Sequence, residues 1–217
     1  MSEERFNMGE AVKFGWETMK KNIMFFIPLL IIAFLIKSIP GAIAQYAGDE
    51  FPIISYLLML TGWLIGYVVD MGLVKISLQF CDGIKSKLDD LLSSFDILLP
   101  FIAASLLYGL IIFGGFLLFI VPSIIWGIKF SLYPYFIVEE KLGPIEALKA
   151  SSRATAGAKW DLFLFGLLLG LINVAGFTFF VVGLFATIPT SMVAFAYVYN
   201  RLTKEPEPEP QGLTYEV

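Results

Sequence analysis

Hydrophobic and polar positions follow one another along this chain in long blocks. Apolar runs at about 23–45, 52–80, 97–120, 122–139, 160–182 and 184–201 are each bounded by charges, by glycine or proline, or by both. A run of about 20 apolar residues makes a helix long enough for a hydrocarbon core of roughly 30 Å. The pattern therefore predicts an all-α, polytopic membrane protein with six transmembrane helices. Val121-Pro122-Ser123 divides the third run from the fourth as a tight reversal, and the fifth and sixth turn near Gly183, with Pro189 one turn later.

Between these runs the chain changes character. In "IKFSLYPYFIVEEKLGPIEALKASSRATAGAKWDLF", from Ile128 to Phe163, an apolar segment gives way to two glutamates, a Gly-Pro pair and a small amphipathic cassette. Two other polar stretches carry the same device. Asn7 followed by Glu10, Ser86 followed by Asp89, and Gly143-Pro144 followed by Glu146 read as helix starts, with an acid near the positive helix end. One-sided apolar stripes follow: Met8, Ala11, Val12 and Met19; Leu88, Leu91, Leu92 and Phe95; and, more weakly, Ile145, Leu148 and Ser152. These predict three short amphipathic helices lying at the headgroup level with their polar faces wet.

Three such starts, each before a pair of spans, imply three repeats. "GEAVK" at Gly9–Lys13 echoes "IEALK" at Ile145–Lys149, and "LLYGLIIFGGFLLFIV" from Leu106 aligns with "LLLGLINVAGFTFFVV" from Leu167. The second alignment pairs Gly109 with Gly170 and Gly115 with Gly176. The expected unit is an amphipathic helix followed by a helical hairpin. The first run, with Lys20-Lys21 before it and Ala42-Ile43-Ala44 near its end, imitates a secretory signal. Its long patterned leader and the needs of the repeat make it a span instead.

Positive charge sets the expected orientation, because cytoplasmic loops carry the excess of Lys and Arg. Arg5, Lys13, Lys20 and Lys21 precede the first run; Lys75, Lys85 and Lys87 flank the second connection; Lys141, Lys149, Arg153 and Lys159 flank the fourth; Arg201 and Lys204 follow the last. The other side has Lys37 and the acidic pair Asp49-Glu50. Both termini are expected in the cytoplasm. Residues 1–203 form one membrane domain on this reading, and 204–217 a disordered tail in which Glu and Pro alternate.

Composition narrows the chemistry. The chain is 58% hydrophobic, against roughly 45–50% in soluble globular proteins, and its mean hydropathy is +0.79. It has no histidine and one cysteine, Cys81, which removes the usual metal ligands and most acid–base chemistry at neutral pH. No catalytic, cofactor or metal residues are therefore assigned. Glu139-Glu140 lie beside Lys141 where the fourth run ends, and read as solvated interfacial charges. Tyr133, Tyr135, Trp63, Trp126 and Trp160 read as interface anchors or packing aromatics. The net charge of −4 gives no basis for nucleic-acid binding.

Intramembrane charge is the one polar signal left. Asp70 in the second run and Lys129 in the fourth each cost roughly 2.5–3.5 kcal/mol or more at membrane depth, so they are expected either to pair as structural glue or to line a solute or proton path. Lys37 and Lys75 are expected to snorkel. Gly62/Gly66 and Gly166/Gly170 stand at helical spacing and are expected to let helices pack closely, within one chain or at an oligomer seam.

"FNMGEAVKFGWETMKKN", "MGLVKISLQFCDGIKSKLDDLLSSF" and the segment from Val121 through Phe163 resemble a group of prokaryotic integral membrane proteins of unknown function, similar to the membrane domain of some glycerophosphoryl diester phosphodiesterases. The resemblance runs to about Leu202. It implies a multi-span helical protein and supplies no catalytic residues. The phosphodiesterase module of such proteins is a separate barrel with catalytic histidines, for which this chain has neither length nor histidine. The reading that follows is a multi-pass protein of the prokaryotic cell membrane, without cofactors. It is expected to act as a non-catalytic scaffold or accessory component through membrane lipids, protein partners or further copies of itself. The alternative is a transporter or export permease using Asp70 and Lys129.

Overall fold

The computed structural model describes residues 5–48, 51–178 and 182–204. The expected Glu/Pro tail, past Lys204, lies outside them. Among the described residues, nine α-helices follow in order: α1 Met8–Lys21, α2 Ile23–Ala47, α3 Pro52–Cys81, α4 Leu98–Leu118, α5 Ile120–Lys129, α6 Tyr133–Glu140, α7 Pro144–Ala154, α8 Lys159–Thr178 and α9 Leu184–Thr203. Two 3₁₀ turns, Leu88–Leu92 and Phe95–Ile97, link α3 to α4. Regular structure among the described residues is entirely helical.

Five helical stretches, beginning at Ile23, Pro52, Leu88, Ile120 and Lys159, are long and apolar enough to cross a membrane. The sixth expected segment forms α9, whose 20 residues suffice in length but include Thr187, Pro189, Thr190, Ser191, Asn200 and Arg201. The reason lies in its surroundings. Helix α9 packs against α1, α2, α3 and α8, so its faces meet protein, and small or hydroxylated residues serve contact better than bulk apolar ones do.

Three expectations about local structure change. The fourth apolar run is not one helix: it breaks at Phe130–Leu132 into α5 and α6. The second short helix is a 3₁₀ turn, and its cap is shifted by one residue, with the Lys87 N–H donating to Asp90 Oδ2 at 2.9 Å in place of a Ser86/Asp89 start. On α7 the buried positions are Ala147, Leu148, Ala150 and Ser151, while Ile145 is exposed. The first start is as read: Asn7 Oδ1 accepts the Glu10 N–H at 3.1 Å.

Burial is concentrated toward one end of the bundle. Val68, Met71, Ile76 and Leu78 of α3, Leu132, Phe136 and Ile137 around α6, and Val193, Ala196 and Tyr199 of α9 form its centre. Helix α1 closes over α9 through Ala11, Gly15 and Met19, and α7 closes over α4 and α6. Neither short helix lies free on a surface. Toward the opposite end, Ile53 and Tyr56, Phe116 through Val121, and Leu171, Val174 and Phe177 are exposed, as suits helices faced by acyl chains.

Glycine sets the closest approaches. A Cβ on Gly15 would collide with the Thr190 carbonyl of α9, and one on Gly72 with the Leu91 carbonyl of the 3₁₀ turn. Gly115 faces Ser123 across the α4–α5 reversal, and Gly176 faces Gly183 before α9. Of the glycines singled out by spacing, Gly62 lies against Pro40 of α2 and Gly66 touches the Lys37 stem, whereas Gly166 and Gly170 have open space where a side chain would stand. Gly72→Ala should lower stability by about 1–3 kcal/mol, because a backbone carbonyl must move. Gly166→Ala should be neutral or gain about 0.5–1 kcal/mol from helix propensity. Thermal unfolding of both variants in detergent measures the contrast, and equal shifts would remove close approach as the cause.

Candidate functional site

Among the described residues, three polar arrangements stand out, beside smaller contacts such as Asn173 Nδ2 to Ser191 Oγ at 2.9 Å. The first joins α2 to α3. Lys37 and Asp70 form an ion pair at 2.5 Å, with side chains 39% and 48% exposed. Asp70 therefore pairs with Lys37, not with Lys129, and Lys37 does not snorkel unpartnered. The hairpin of α2 and α3 explains the choice, because it brings the two faces together at Gly62 and Gly66. The pair borders a cavity of about 340 Å³ with Trp63 and Tyr67, open to the outside of the bundle.

The second arrangement fills the break between α5 and α6. An interrupted helix leaves backbone groups without ladder partners, and a membrane interior supplies no water to satisfy them. Ser151 of α7 meets this need: its Oγ accepts the Leu132 N–H at 3.0 Å and donates to the Lys129 carbonyl at 3.1 Å. Thr155 Oγ1 lies 3.0 Å from the same carbonyl and 2.9 Å from the Ser151 carbonyl, so its one proton is shared between them. Both side chains are fully buried. Sequence reading missed this pair. The available signal was the alignment of "IEALK" with "GEAVK", which sets Ala147, Ser151 and Thr155 beside the buried Ala11, Gly15 and Met19 at identical four-residue steps.

The third arrangement ties helix ends. Lys204, just past α9, reaches Asp82 Oδ1 at 3.1 Å and Glu139 Oε1 at 2.8 Å, and Asn200 Nδ2 donates to Asp82 Oδ1 at 3.2 Å. One cation thereby joins the ends of α3, α6 and α9. Partial burial opposes the charge on Lys204, but hydrogen bonds to Glu139 and Asp82 outweigh it and raise the ammonium above the ordinary lysine range. A raised lysine stabilises the fold fully below the unfolded value and loses that contribution only as pH climbs through the folded one. The clamp is closed across the neutral range. Tyr199 adds a stacked contact with Tyr135 and donates to Glu140 Oε1 at 3.5 Å.

Lys75 holds Asp90 Oδ1 at 3.2 Å and donates to Ser93 Oγ at 2.7 Å, so it too is partnered. Lys129 ends α5 with its Nζ 5.1 Å from the Phe130 ring centre. Among the described residues, no group of three or more His, Cys, Asp or Glu could hold a metal ion. The arrangement can tie helices together and present cations at the perimeter. Compared with family models, curated proteins and solved structures, the chain matches none.

Ser151→Ala with Thr155→Val should destabilise the protein by about 1–3 kcal/mol, through the unpaired Leu132 N–H and Lys129 carbonyl. Ser152→Ala, next to the pair and uninvolved in it beyond a 3.5 Å contact from Thr155 to its carbonyl, should change little. Chemical unfolding in mixed micelles compares the two. A double variant as stable as the wild type would show that the break is satisfied by something else.

Proposed function

We propose that the protein crosses the prokaryotic cell membrane six times, in three repeated units with both termini cytoplasmic, and acts without chemistry of its own as a scaffold or accessory component through lipids and protein partners. The observation that carries this reading is how the buried polar groups are used. Ser77, Ser151, Thr155 and Thr190 direct their hydroxyls at backbone carbonyls, and the buried ends of α3, α6 and α9 are packed and clamped together. Two cavities, of about 460 and 360 Å³, open on the perimeter with mainly apolar walls, while two others, of about 570 and 430 Å³, carry lysine or arginine at their rims.

The repeat is supported by equivalent positions. Gly115 and Gly176, aligned in sequence, both stand at hairpin reversals. Lys75-Ile76-Ser77-Leu78 of α3 echoes Lys129-Phe130-Ser131-Leu132 at the α5–α6 break, with Leu78 and Leu132 both buried. Each short element docks on the second helix of a hairpin: α1 on α9, the Leu88–Leu92 turn on α3, and α7 on α6. The resemblance to the membrane domains of glycerophosphoryl diester phosphodiesterases accords with such an arrangement and brings no activity with it.

Topology reporters test the orientation and the sixth span together. A reporter after Gly48 should read outside, and reporters after Lys87 and Thr203 inside. An outside reading after Thr203 reduces the spans to five, and a full reversal overturns the orientation. Purified protein in phospholipid vesicles should leave every lipid intact by mass spectrometry. A hydrolysis product abolished by a single substitution would make it an enzyme.

The Lys37–Asp70 pair favours a second reading, a transport path along α2 and α3, since half-exposed charge within apolar helices is costly. Lys129 has no part in it. Lys37→Met with Asp70→Leu should be closer to wild-type stability than either single change, because a lone charge is worse than none. Loss of the cellular phenotype in that well-folded double variant would favour transport, and full retention would leave the pair as glue.

A further inference from the structure

We infer that the cavity between α4, the α5–α6 break and α7 is a binding site for the phosphodiester headgroup of an anionic phospholipid, held by Lys129, Lys149 and Arg153. This rests on the lipid-facing reading above and deepens it. Lys149 and Arg153 are four residues apart on α7 and share one helical face, away from the buried Ala147 and Ser151. Lys129 approaches from the end of α5. All three line one cavity of about 570 Å³, within the roughly 300–1,000 Å³ of small-molecule sites.

Charge is the first reason for this assignment. Lys37, Lys75, Lys141 and Lys204 each hold a carboxylate. Among the described residues, Lys129, Lys149 and Arg153 enter no ion pair, which is equally true of Lys13, Lys85 and Lys87; what sets the three apart is that they line one cavity with no acid in its wall. Three like charges converging without a counterion repel one another, and an anion with several acceptor oxygens relieves that repulsion through charge-assisted hydrogen bonds. Lys129 and Arg153 occupy the last turns of their helices, where the negative helix end holds a cation in place without neutralising it.

The walls choose among anions. Leu107 and Ile111 of α4, with Phe130 and Leu148, make the rest of the lining almost wholly apolar. A free phosphate would meet the cations and leave this surface wet. A phospholipid presents its phosphodiester to the cations and its glycerol and upper acyl carbons to the walls. Depth agrees, because α7 returns the chain to α8 at Lys159 and to the exposed Trp160, a residue type that anchors at the membrane boundary. Basic pockets between membrane helices hold lipid headgroups by this combination of charge and grease.

Native mass spectrometry of the protein released from nanodiscs of equal phosphatidylglycerol and phosphatidylcholine tests the site. The wild type should retain phosphatidylglycerol in preference. Each of Lys129→Gln, Lys149→Gln and Arg153→Gln should reduce retention roughly fivefold, and the triple variant on the order of a hundredfold. A charge-matched control, Lys13→Gln with Lys85→Gln and Lys87→Gln, should retain it, as should Lys149→Arg. Unchanged melting temperature establishes folding, and should the triple variant not fold, the three single variants decide. Equal loss in the control, equal retention of phosphatidylcholine, or equal thermal stabilisation by inorganic phosphate would each overturn the assignment. Lipid hydrolysis with retention intact would instead defeat the non-catalytic reading and leave the site standing.

Discussion

A backbone that stops being helical inside an apolar layer must find partners within the protein, and the α5–α6 break imposes this condition on the rest of the molecule. The Leu132 N–H and the Lys129 carbonyl are answered by Ser151, with Thr155 beside it. To bring those hydroxyls there, the chain must leave α6, reverse at Lys141 in the left-handed region, and send α7 back alongside α6. The polar cassette in an otherwise apolar sequence is thus a plug for its own broken span. Its inner face is small and hydroxylated because it meets backbone, and its outer face can carry Lys149 and Arg153 because it does not.

Close contact elsewhere follows from the same solvent. Lipid gives apolar helices little reason to prefer one another over acyl chains, so association rests on packing and hydrogen bonds. Gly15 and Gly72 let other backbone approach where any side chain would collide, and Lys204 gathers the ends of α3, α6 and α9 where water resumes. Toward the other end, α4 and α8 expose leucine and phenylalanine, and their ties are hydrogen bonds within hairpins, among them Ser123 Oγ to the Ile112 carbonyl at 3.2 Å and Asn173 Nδ2 to Ser191 Oγ at 2.9 Å. One end of the bundle is a clamped core and the other a set of hairpins, each held by its own packing and a few polar contacts.

Much of this was legible in the sequence, for identifiable reasons. Long apolar blocks give the positions of the five membrane-length apolar helices directly, and Asn7 before Glu10 or Gly143 before Pro144 marks a helix start through local chemistry alone. Partner choice was not legible. Asp70, Lys37 and Lys129 all stand in apolar runs, and only the hairpin geometry of α2 and α3 selects Lys37 for Asp70. Spacing marks Gly166 and Gly170 as readily as Gly62, although only the last has another helix against it. The inner face of α7 escaped because a stripe sought by hydrophobicity passes over serine and threonine, the residues a broken backbone needs. Composition likewise undersells α9, whose central place among α1, α3 and α8 requires Ala, Thr and Ser where a lipid-facing helix carries Leu.

The charges then divide by purpose. Those that meet a carboxylate hold elements together: Lys37 joins two helices, Lys75 fastens a 3₁₀ turn to α3, Lys141 reaches Asp96, and Lys204 clamps three helix ends. Other cations, Lys13, Lys85 and Lys87 among them, also meet no carboxylate among the described residues, so what distinguishes the open cluster is its place. Lys129, Lys149 and Arg153 contribute no tie, yet the fold gathers them at one apolar-walled opening. The break that demands Ser151 therefore does two things at once: it fixes α7 against the bundle, and it sets that helix's basic face beside the lysine at the end of α5.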